Sequence, residues 1–317
     1  MPIEDLSSHQ AVVSLLRKTG VRPSKRLGQS FLVDRAVLDT ILSEAILSEA
    51  IPIEASLTET NPAKAEQATP EEFLEIGAGL GTVTRKLAGI GGHVVAVEID
   101  RRLVQSLKQT LGDLENVEIV RQDILDFDLS KRFAERSVFV VGNIPYRITA
   151  PILKHLVAHR NAISGALLLT QREVAEKIAA SPGRDGSALG VFLQAYTDIC
   201  LIRQVAKRSF YPVPAVDSLL WRLSFLPKPR FTADADTFFT VVRALYGKRR
   251  KMARSALRDL FPAGQASEAL RAAGIDPAAR GETLTMEELD HLARLMHKFQ
   301  DPENLESRGR SSGANVG

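Results

Sequence analysis

Residues 73–82 read Phe-Leu-Glu-Ile-Gly-Ala-Gly-Leu-Gly-Thr, an apolar strand that runs directly into a glycine-rich loop. Three glycines at alternate positions let the backbone approach a ligand closely and open a helix whose amino end faces that ligand. Apolar strands and amphipathic helices alternate on both sides of this stretch. The alternation predicts an α/β fold with a doubly wound parallel sheet.

Short apolar runs bounded by glycine, asparagine and proline mark the predicted strands. They cover 73–76, 93–99, 117–120, 138–141, 165–169, 191–202 and 219–225. The predicted helices cover about residues 10–18, 35–50, 82–89, 101–111, 150–160 and 172–180. Because open α/β sheets bind ligands beyond the carboxyl ends of their strands, the loops at those ends are the expected place for a site.

Two carboxylates follow neighbouring strands of the predicted sheet. Glu98 stands 21 residues after Gly77, at the end of the second strand, where an acidic side chain can bind a ribose diol. Asp123 follows the third strand, where it can meet an adenine amino group. The glycines at alternate positions lack the spacing of the pyrophosphate-binding dinucleotide motif. This favours S-adenosylmethionine over a nicotinamide dinucleotide.

A second loop, residues 142–146 (Gly-Asn-Ile-Pro-Tyr), follows directly on the apolar run 138–141. The Asn143 side-chain oxygen and the Ile144 carbonyl oxygen can both accept hydrogen bonds from an exocyclic amino group. This withdraws the nitrogen lone pair from conjugation and makes it a better nucleophile. Tyr146 can stack on the ring of a base. The alternative interpretation is a turn closed by asparagine and proline, with the tyrosine packed beneath it.

The charges of this 317-residue chain are unevenly distributed, although its formal net charge is only +3. Residues 203–258 contain 13 Lys/Arg against 3 Asp/Glu, and no acidic residue lies in the basic segment from Arg17 to Arg26. Several basic segments on a nearly neutral chain favour a polyanionic partner. A single such segment is explained equally by solvated protein surface. The composition, 44% hydrophobic and 25% charged, is that of a globular protein.

Cysteine and histidine usage predicts neither a disulfide framework nor a metal site. Cys200, the only cysteine, lies in an apolar run, which predicts a core thiol in a reducing compartment. His155 and His159 share a helix face without a third ligand, so no metal site is expected. The chain lacks a secretory start and a membrane-length apolar run, which predicts a cytoplasmic protein. Without a coiled-coil pattern or an apolar stripe, a monomer is expected.

Changes in composition divide the chain. The predicted parts are an N-terminal extension (1–22), an α/β domain (23–228) with an insertion (43–70), a helical domain (229–300) and a disordered tail (301–317). The insertion repeats Ile-Leu-Ser-Glu-Ala and then becomes rich in Thr, Pro, Ala and Glu, so it can bury little core. The predicted helices beyond Pro229 lie near 234–245, 248–260, 265–273 and 285–298.

Seven segments together resemble the ribosomal RNA adenine dimethyltransferase family, in the family's order over about residues 24–296. They are 25–34, 74–84, 97–100, 142–149, 171–178, 210–218 and 249–251. The chain looks most like the bacterial branch, which dimethylates two adjacent adenines in the 3'-terminal hairpin of 16S rRNA. The resemblance implies a Rossmann-like S-adenosylmethionine-dependent methyltransferase sheet with a small all-helical C-terminal domain. It also implies that the partner is 16S rRNA within the 30S subunit or its precursor.

The resemblance further implies roles for individual residues. The implied cofactor-binding residues are Ser30, Leu32, Gly77, Gly79, Glu98, Asp123 and Asn143. The implied catalytic residues are Asn143, Pro145, Tyr146 and Phe210. The implied RNA-binding residues of the helical domain are Arg243, Lys248, Arg249, Arg250, Lys251 and Arg254. Ser30 departs from the family pattern, which usually has asparagine there.

Three alternatives stay open on the sequence. The same chemistry fits large-subunit rRNA, as in antibiotic-resistance relatives, or adenine in DNA, because the 142–146 loop does not separate these substrates. A ribosome-assembly factor with incidental methylation is a second alternative, which the intact set of Glu98, Asp123 and Asn143 disfavours. A dinucleotide oxidoreductase is the weakest, because of the glycine spacing.

Overall fold

The computed structural model describes residues 6–24, 26–47, 70–181, 183, 185–248, 251–261 and 264–300. The strands are β1 (Phe31–Leu32), β2 (Glu72–Ile76), β3 (His93–Glu98), β4 (Val117–Arg121), β5 (Val138–Asn143), β6 (Ile163–Gln171), β7 (Thr197–Val205), β8 (Phe210–Tyr211) and β9 (Ser218–Phe225). The helices are α1 (His9–Thr19), α2 (Arg35–Leu47), α3 (Thr82–Gly89), α4 (Arg101–Leu111), α5 (Leu129–Arg132), α6 (Thr149–Ala158), α7 (Arg172–Ala179), α8 (Ala188–Gln194), α9 (Ala235–Gly247), α10 (Ala253–Ala256), α11 (Gln265–Ala272) and α12 (Met286–Gln300). Most of the predicted insertion and the predicted tail lie outside the described residues.

A seven-stranded sheet has the strand order β4-β3-β2-β5-β6-β9-β7. Strands β2 to β6 pair in parallel, as predicted. Strand β9 departs from the predicted parallel pairing, because it runs antiparallel to β6. The register explains the reversal. Ser218, the first residue of β9, pairs with Gln171, the last residue of β6, so β9 enters where β6 ends and returns along it.

The core of the sheet follows from its β-favouring apolar residues, which pack on both faces as parallel strands require. Phe73 and Phe139 on neighbouring strands are at most 1% exposed, and their rings meet edge to face with centroids 6.3 Å apart. Trp221 is fully buried, and its indole nitrogen donates to Thr170 Oγ1 at 3.0 Å. Trp221 therefore belongs to the core of the sheet.

One predicted strand, 191–202, is partly helical in the structure. Residues 188–194 form α8, because the Ser187 hydroxyl accepts a hydrogen bond from the Gly190 amide at 2.9 Å and caps the helix. The strand itself begins only at Thr197. The prediction that Cys200 is a core thiol is also wrong. Strand β7 is an edge strand of the sheet, and Cys200 is exposed on it.

The described part of the predicted N-terminal extension packs against the α/β unit. Helix α1 begins after Ser8, whose hydroxyl accepts from the Ala11 amide at 3.2 Å. Val12 and Leu16 are buried, in a hydrophobic cluster that also contains Phe31 and Leu80. Since Leu80 belongs to the glycine loop, α1 forms part of the support of that loop.

The chain forms two compact units. One contains residues up to 175 together with 198–225, and the other contains residues 176–197 together with those from 226 onward. The core of the second unit contains an aromatic cluster, in which Phe231 stacks on Phe238 with ring centroids 4.4 Å apart. The second unit therefore takes in a segment that precedes the boundary predicted near residue 228.

The helix predicted at 248–260 is largely absent from the described residues of that range, of which only Ala253–Ala256 is α-helical. Met252 instead forms an antiparallel bridge with Arg280, and the Ala253 amide donates to the Ala279 carbonyl at 2.7 Å. These long-range backbone contacts outweigh the local helix preference of the sequence. Across the described residues, no helix is both long and apolar enough to cross a membrane.

Candidate active site

A cavity of about 1170 Å³ lies in the first unit, beyond the carboxyl ends of β2, β3 and β5. It is lined by all ten residues that the sequence predicted for the cofactor and catalytic sites: Ser30, Leu32, Gly77, Gly79, Glu98, Asp123, Asn143, Pro145, Tyr146 and Phe210. The structure thus brings these residues together, and what each of them binds stays a prediction. Their convergence at one edge follows from the parallel pairing of the strands that carry them.

The glycine loop reaches into this cavity in a conformation that side chains disfavour. Gly77 and Gly79 have φ angles of +73° and +61°, in the left-handed region. A Cβ atom on Gly79 would lie 3.2 Å from the ring of Phe31. The Gly77 amide donates to the Val97 carbonyl at 2.9 Å, which ties the loop to β3. Bare backbone therefore faces the cavity at this point.

Glu98 braces the loop from the end of β3. Its Oε2 accepts from the Gly79 amide at 3.0 Å, and its Oε1 accepts from the Asp100 amide at 2.8 Å. Burial raises the pKa of the Glu98 carboxyl, while the hydrogen bonds from Asp100 and Gly79 act in the opposite direction. A carboxylate has about four acceptor positions, so Glu98 keeps acceptor capacity for a ligand hydroxyl.

Glu75 is a lining residue that the sequence did not single out. It is 4% exposed, and its carboxyl group accepts a hydrogen bond from the Thr84 hydroxyl on α3. Burial raises the pKa of Glu75 to about 8, and the nearby Glu98 carboxylate adds to the rise. A glutamate inside an otherwise apolar strand was the available clue, since acidic residues are rarely buried without a partner.

Asp123 and Gln29 order two further loops around the cavity. Asp123 Oδ1 accepts from the Leu125 amide at 3.0 Å and caps a 3-10 turn. The Gln29 side chain donates to Asp100 Oδ2 at 3.0 Å and accepts from the Ser24 amide at 2.7 Å. Sequence reasoning missed Gln29, because its partner Asp100 lies on a different loop and far away along the chain.

The 142–146 loop is fixed at three points. The Asn143 side-chain nitrogen donates to the Ser30 carbonyl at 2.9 Å, and the Ile144 amide donates to the Leu169 carbonyl at 3.0 Å. The Tyr146 hydroxyl lies 3.1 Å from Ser218 Oγ on β9. Since Asn143 donates towards Ser30, the oxygen of its amide group faces away from Ser30.

A two-stranded ribbon of β1 and β8 forms another wall of the cavity. Leu32 pairs with Phe210 in its register, and the Ser30 hydroxyl donates to the Pro212 carbonyl at 2.5 Å. Leu32 and Phe210 are 4% and 2% exposed and belong to the main core cluster while they also line the cavity. Leu32 and Phe210 thus line the cavity where its wall meets the hydrophobic core.

The sequence over residues 21–298 matches the model of the family described as ribosomal RNA adenine dimethylase. The match covers both units of the fold. The chain belongs to the ribosomal RNA adenine dimethylase family. Its membership makes it a methyltransferase of ribosomal RNA adenine, and the resemblance inferred from seven segments of the sequence is confirmed.

Relatives in this family match almost the whole chain. A protein of Moorella thermoacetica named ribosomal RNA small subunit methyltransferase A is 37% identical over 307 residues, which is 93% of this chain and 99% of the relative. A protein of Clostridioides difficile with the same name is 34% identical over 303 residues, which is 93% of this chain and 98% of the relative.

Solved structures of related enzymes have the same fold. The 23S rRNA methyltransferase ErmE has a TM-score of 0.62 at 27% identity, over 86% of this chain and all of that chain. A dimethyladenosine transferase from Plasmodium falciparum has a TM-score of 0.65 at 22% identity, over 84% of this chain and 97% of that chain. The expected Rossmann-like methyltransferase fold is confirmed.

The predicted RNA-binding residues belong to the second unit, and the structure describes four of the six. Arg243, Lys251 and Arg254 are exposed, while Lys248 forms an ion pair with Asp259 at 2.6 Å. Arg249 and Arg250 lie outside the described residues. An exposed ion pair of this kind contributes little to stability, so Lys248 can exchange Asp259 for a phosphate group at low cost.

His155 on α6 and His159, the C-cap residue that follows this helix, have ordinary polar partners. His155 Nε2 lies 3.0 Å from the Phe127 carbonyl, and His159 Nδ1 lies 2.7 Å from Ser130 Oγ. Burial lowers the pKa of His155. Over the ranges that the structure describes, no group of three His, Cys, Asp or Glu side chains is arranged to hold a metal ion.

Proposed function

We propose that the protein transfers methyl groups from S-adenosylmethionine to the exocyclic amino groups of two adjacent adenines in the 3'-terminal hairpin of 16S rRNA. The observation that carries this proposal is a cavity that contains both the glycine loop and the Asn143 loop. A methyl donor and an acceptor amine held there would lie side by side. The choice of the small subunit rests on relatives of that name, which match this chain over nearly its full length.

The residues of the cavity fit S-adenosylmethionine. The missing Cβ atoms of Gly77 and Gly79 leave room for the methionine part of the cofactor against the backbone. Glu98 offers carboxylate oxygens to the ribose hydroxyls, and Asp123 offers one to the adenine amino group. Ser30 and Leu32 would cover the cofactor from the β1 side. When bound, this cofactor supplies an electrophilic methyl group on a sulfonium sulfur.

The Asn143 loop would prepare the acceptor. The Asn143 side-chain oxygen and the Ile144 carbonyl oxygen would each accept a hydrogen bond from the amine, which directs the nitrogen lone pair towards the methyl group. Pro145 fixes the chain direction directly after Ile144. Tyr146 and Phe210 border the ring of the target base. The alkylated nitrogen then releases a proton to solvent, so no strong general base is needed. Catalysis here is mainly positioning and electrostatics.

The target base has to leave its stack to enter the cavity, at a cost of a few kcal/mol that weakly paired RNA reduces. Exposed cations of the second unit, such as Lys251 and Arg254, would contact phosphates and fix the register without reading the sequence. The partner is then 16S rRNA in the 30S subunit or its precursor, the place of action is the cytoplasm, and the enzyme works as a monomer.

Large-subunit rRNA is the second candidate substrate. It is favoured by the likeness to the 23S rRNA methyltransferase ErmE, at 27% identity. The small-subunit methyltransferases are more similar, at 34–37% identity, and their matches cover more of this chain. We therefore place small-subunit rRNA first and large-subunit rRNA second. A methyltransferase whose main role is in ribosome assembly is compatible with either substrate.

Methyl transfer from labelled S-adenosylmethionine to unmodified small subunits, large subunits and duplex DNA tests the proposal. We expect label in small-subunit RNA alone, recovered as dimethyladenine. The Asn143→Ala variant should lose about 100- to 1000-fold in kcat, since it lacks one of the two groups that align the amine. Asn161→Ala is the matched control, because Asn161 is exposed and lies outside the cavity.

The outcomes separate the candidates. Label in large subunits keeps the chemistry and replaces the substrate. If no RNA or DNA accepts label while the cofactor binds, the protein acts through binding and the proposal is wrong. Full activity of Asn143→Ala would be consistent with the proposed reaction but would refute the mechanism proposed for the 142–146 loop.

A further inference from the structure

Ser30 makes two hydrogen bonds that point in different directions within the first unit. Its carbonyl accepts from the side-chain nitrogen of Asn143 at 2.9 Å. Its hydroxyl donates to the carbonyl of Pro212 at 2.5 Å. Asn143 belongs to the loop that would hold the target amine, and Pro212 belongs to the loop that follows Phe210. One residue of the β1 segment thus connects both sides of the proposed base slot.

The loop that contains Pro212 has little apolar packing of its own. Val213 and Val216 are 59% and 44% exposed, so burial does not fix the positions of their segment. Hydrogen bonds hold its far end, where Asp217 Oδ1 accepts from the Lys207 amide at 2.9 Å. Between that anchor and the β1–β8 ribbon, the Ser30 hydroxyl ties the loop to the rest of the slot.

A hydroxyl group has one proton to donate. In the structure this proton is donated to the Pro212 carbonyl. Direct cofactor binding, the role that the family resemblance implied for Ser30, does not account for this hydrogen bond. A role in holding the slot accounts for both of its hydrogen bonds.

We propose that Ser30 is a positioning residue that sets the width of the base slot. Its carbonyl orients the Asn143 amide, and its hydroxyl holds the loop at Pro212 at a fixed distance from that amide. This inference rests on the proposed function of the same cavity. It gives the Ser30 hydroxyl a role on the acceptor side of the reaction, in addition to the place of Ser30 beside the cofactor.

Ser30→Ala removes the hydroxyl and keeps the carbonyl, so it isolates the contact with Pro212. We expect kcat at saturating cofactor to fall roughly fivefold, the effect of removing one neutral hydrogen bond. The Kd of S-adenosylmethionine, measured by calorimetry, should stay within twofold. Ser30→Thr keeps a hydroxyl group and should restore kcat. Ser43→Ala is the matched control, because the Ser43 hydroxyl also donates to a backbone carbonyl but lies on the exposed side of α2.

A second readout does not depend on turnover. With 2-aminopurine placed directly beside the target adenines, departure of a target base from the stack should raise the fluorescence of the probe, because the probe loses a stacking neighbour. Ser30→Ala should lower that rise, while Ser30→Thr restores it. Thermal melting of each variant separates slot geometry from a loss of folding. If the wild type transfers no methyl group, the proposed function fails, and the fluorescence still decides whether Ser30 shapes the slot.

Two results would overturn the inference. A raised Kd for S-adenosylmethionine in Ser30→Ala, with normal kcat at saturation, would make Ser30 a direct cofactor ligand. Wild-type kcat and fluorescence in Ser30→Ala would show that the Pro212 contact has no part in the slot.

Discussion

Glu75 places a titratable group in the core beneath the glycine loop, where its carboxyl group accepts a hydrogen bond from Thr84. Burial raises its pKa to about 8. In the unfolded chain the same carboxyl group ionises near its ordinary pKa of 4.5. Between these two values the folded state holds a proton that the unfolded state has released. The free energy of unfolding therefore falls as the pH rises from about 4.5 to about 8.

Glu75→Gln should remove this component of the pH dependence. An amide has the shape of the protonated carboxyl group and still accepts the hydrogen bond from Thr84. We expect the variant to gain stability relative to the wild type between pH 5 and pH 9, on the order of a few kcal/mol. Urea unfolding at several pH values measures the difference. Glu115→Gln, at an exposed position, should follow the wild-type curve. Parallel curves for Glu75→Gln and the wild type would refute a protonated Glu75.

Single residues of the site differ in how far they can be predicted from the sequence. Glu98 and Asp123 are foreseeable because a carboxylate at a strand end has a fixed place relative to the sheet. Ser30 is different, since its partner Pro212 lies 182 positions away along the chain. No local pattern records that distance, so its hydrogen bond becomes visible only in the fold.

Helix α1 illustrates how an element can be predicted while its role is not. Its apolar spacing indicates a helix, but only packing shows that Leu16 shares a cluster with Leu80 of the glycine loop. Leu16→Ala should lower the free energy of unfolding by about 2–4 kcal/mol, as buried leucine truncations do. We also expect weaker cofactor binding, because the support of the loop loosens. Urea titration and calorimetry measure the two effects.

Ser14→Ala, on the exposed face of α1, is the matched control and should change neither quantity. If Leu16→Ala unfolds like the wild type, α1 is not part of the support of the loop. If stability falls while the Kd of the cofactor is unchanged, α1 stabilises the fold without shaping the cavity.

The elements that the sequence misplaced share a physical cause. Residues 191–202 are largely apolar, and apolarity alone does not distinguish a buried helix from a strand. The cap at Ser187 turned their first part into α8. In 248–260 the helical pattern was real, but the bridge between Met252 and Arg280 bent the chain away from it. Backbone and capping contacts outside the apolar pattern decided both segments.

At the scale of the whole molecule, the cavity and the predicted RNA-binding residues belong to different units. The cavity is lined by residues of the first unit, whereas the predicted phosphate contacts belong to the second. The sequence foresaw both parts, because strand periodicity and basic clustering are local properties. It did not foresee that residues 176–197 belong with the second unit, since that grouping depends on contacts between distant parts of the chain.

This separation predicts that RNA affinity and cofactor affinity can be changed independently. Neutralising Lys251 and Arg254 together, as Lys251→Gln with Arg254→Gln, should weaken binding of small-subunit RNA at low salt. The slope of log K against log salt should fall by about one for each phosphate interaction that the substitutions remove. The Kd of S-adenosylmethionine should not change, because neither residue lines the cavity. Lys108→Gln, at an exposed position on α4, is the control and should leave the slope unchanged.

An unaltered slope in the double variant would mean that these cations are solvated surface and that RNA binds elsewhere. A changed cofactor Kd would mean that the two affinities are coupled.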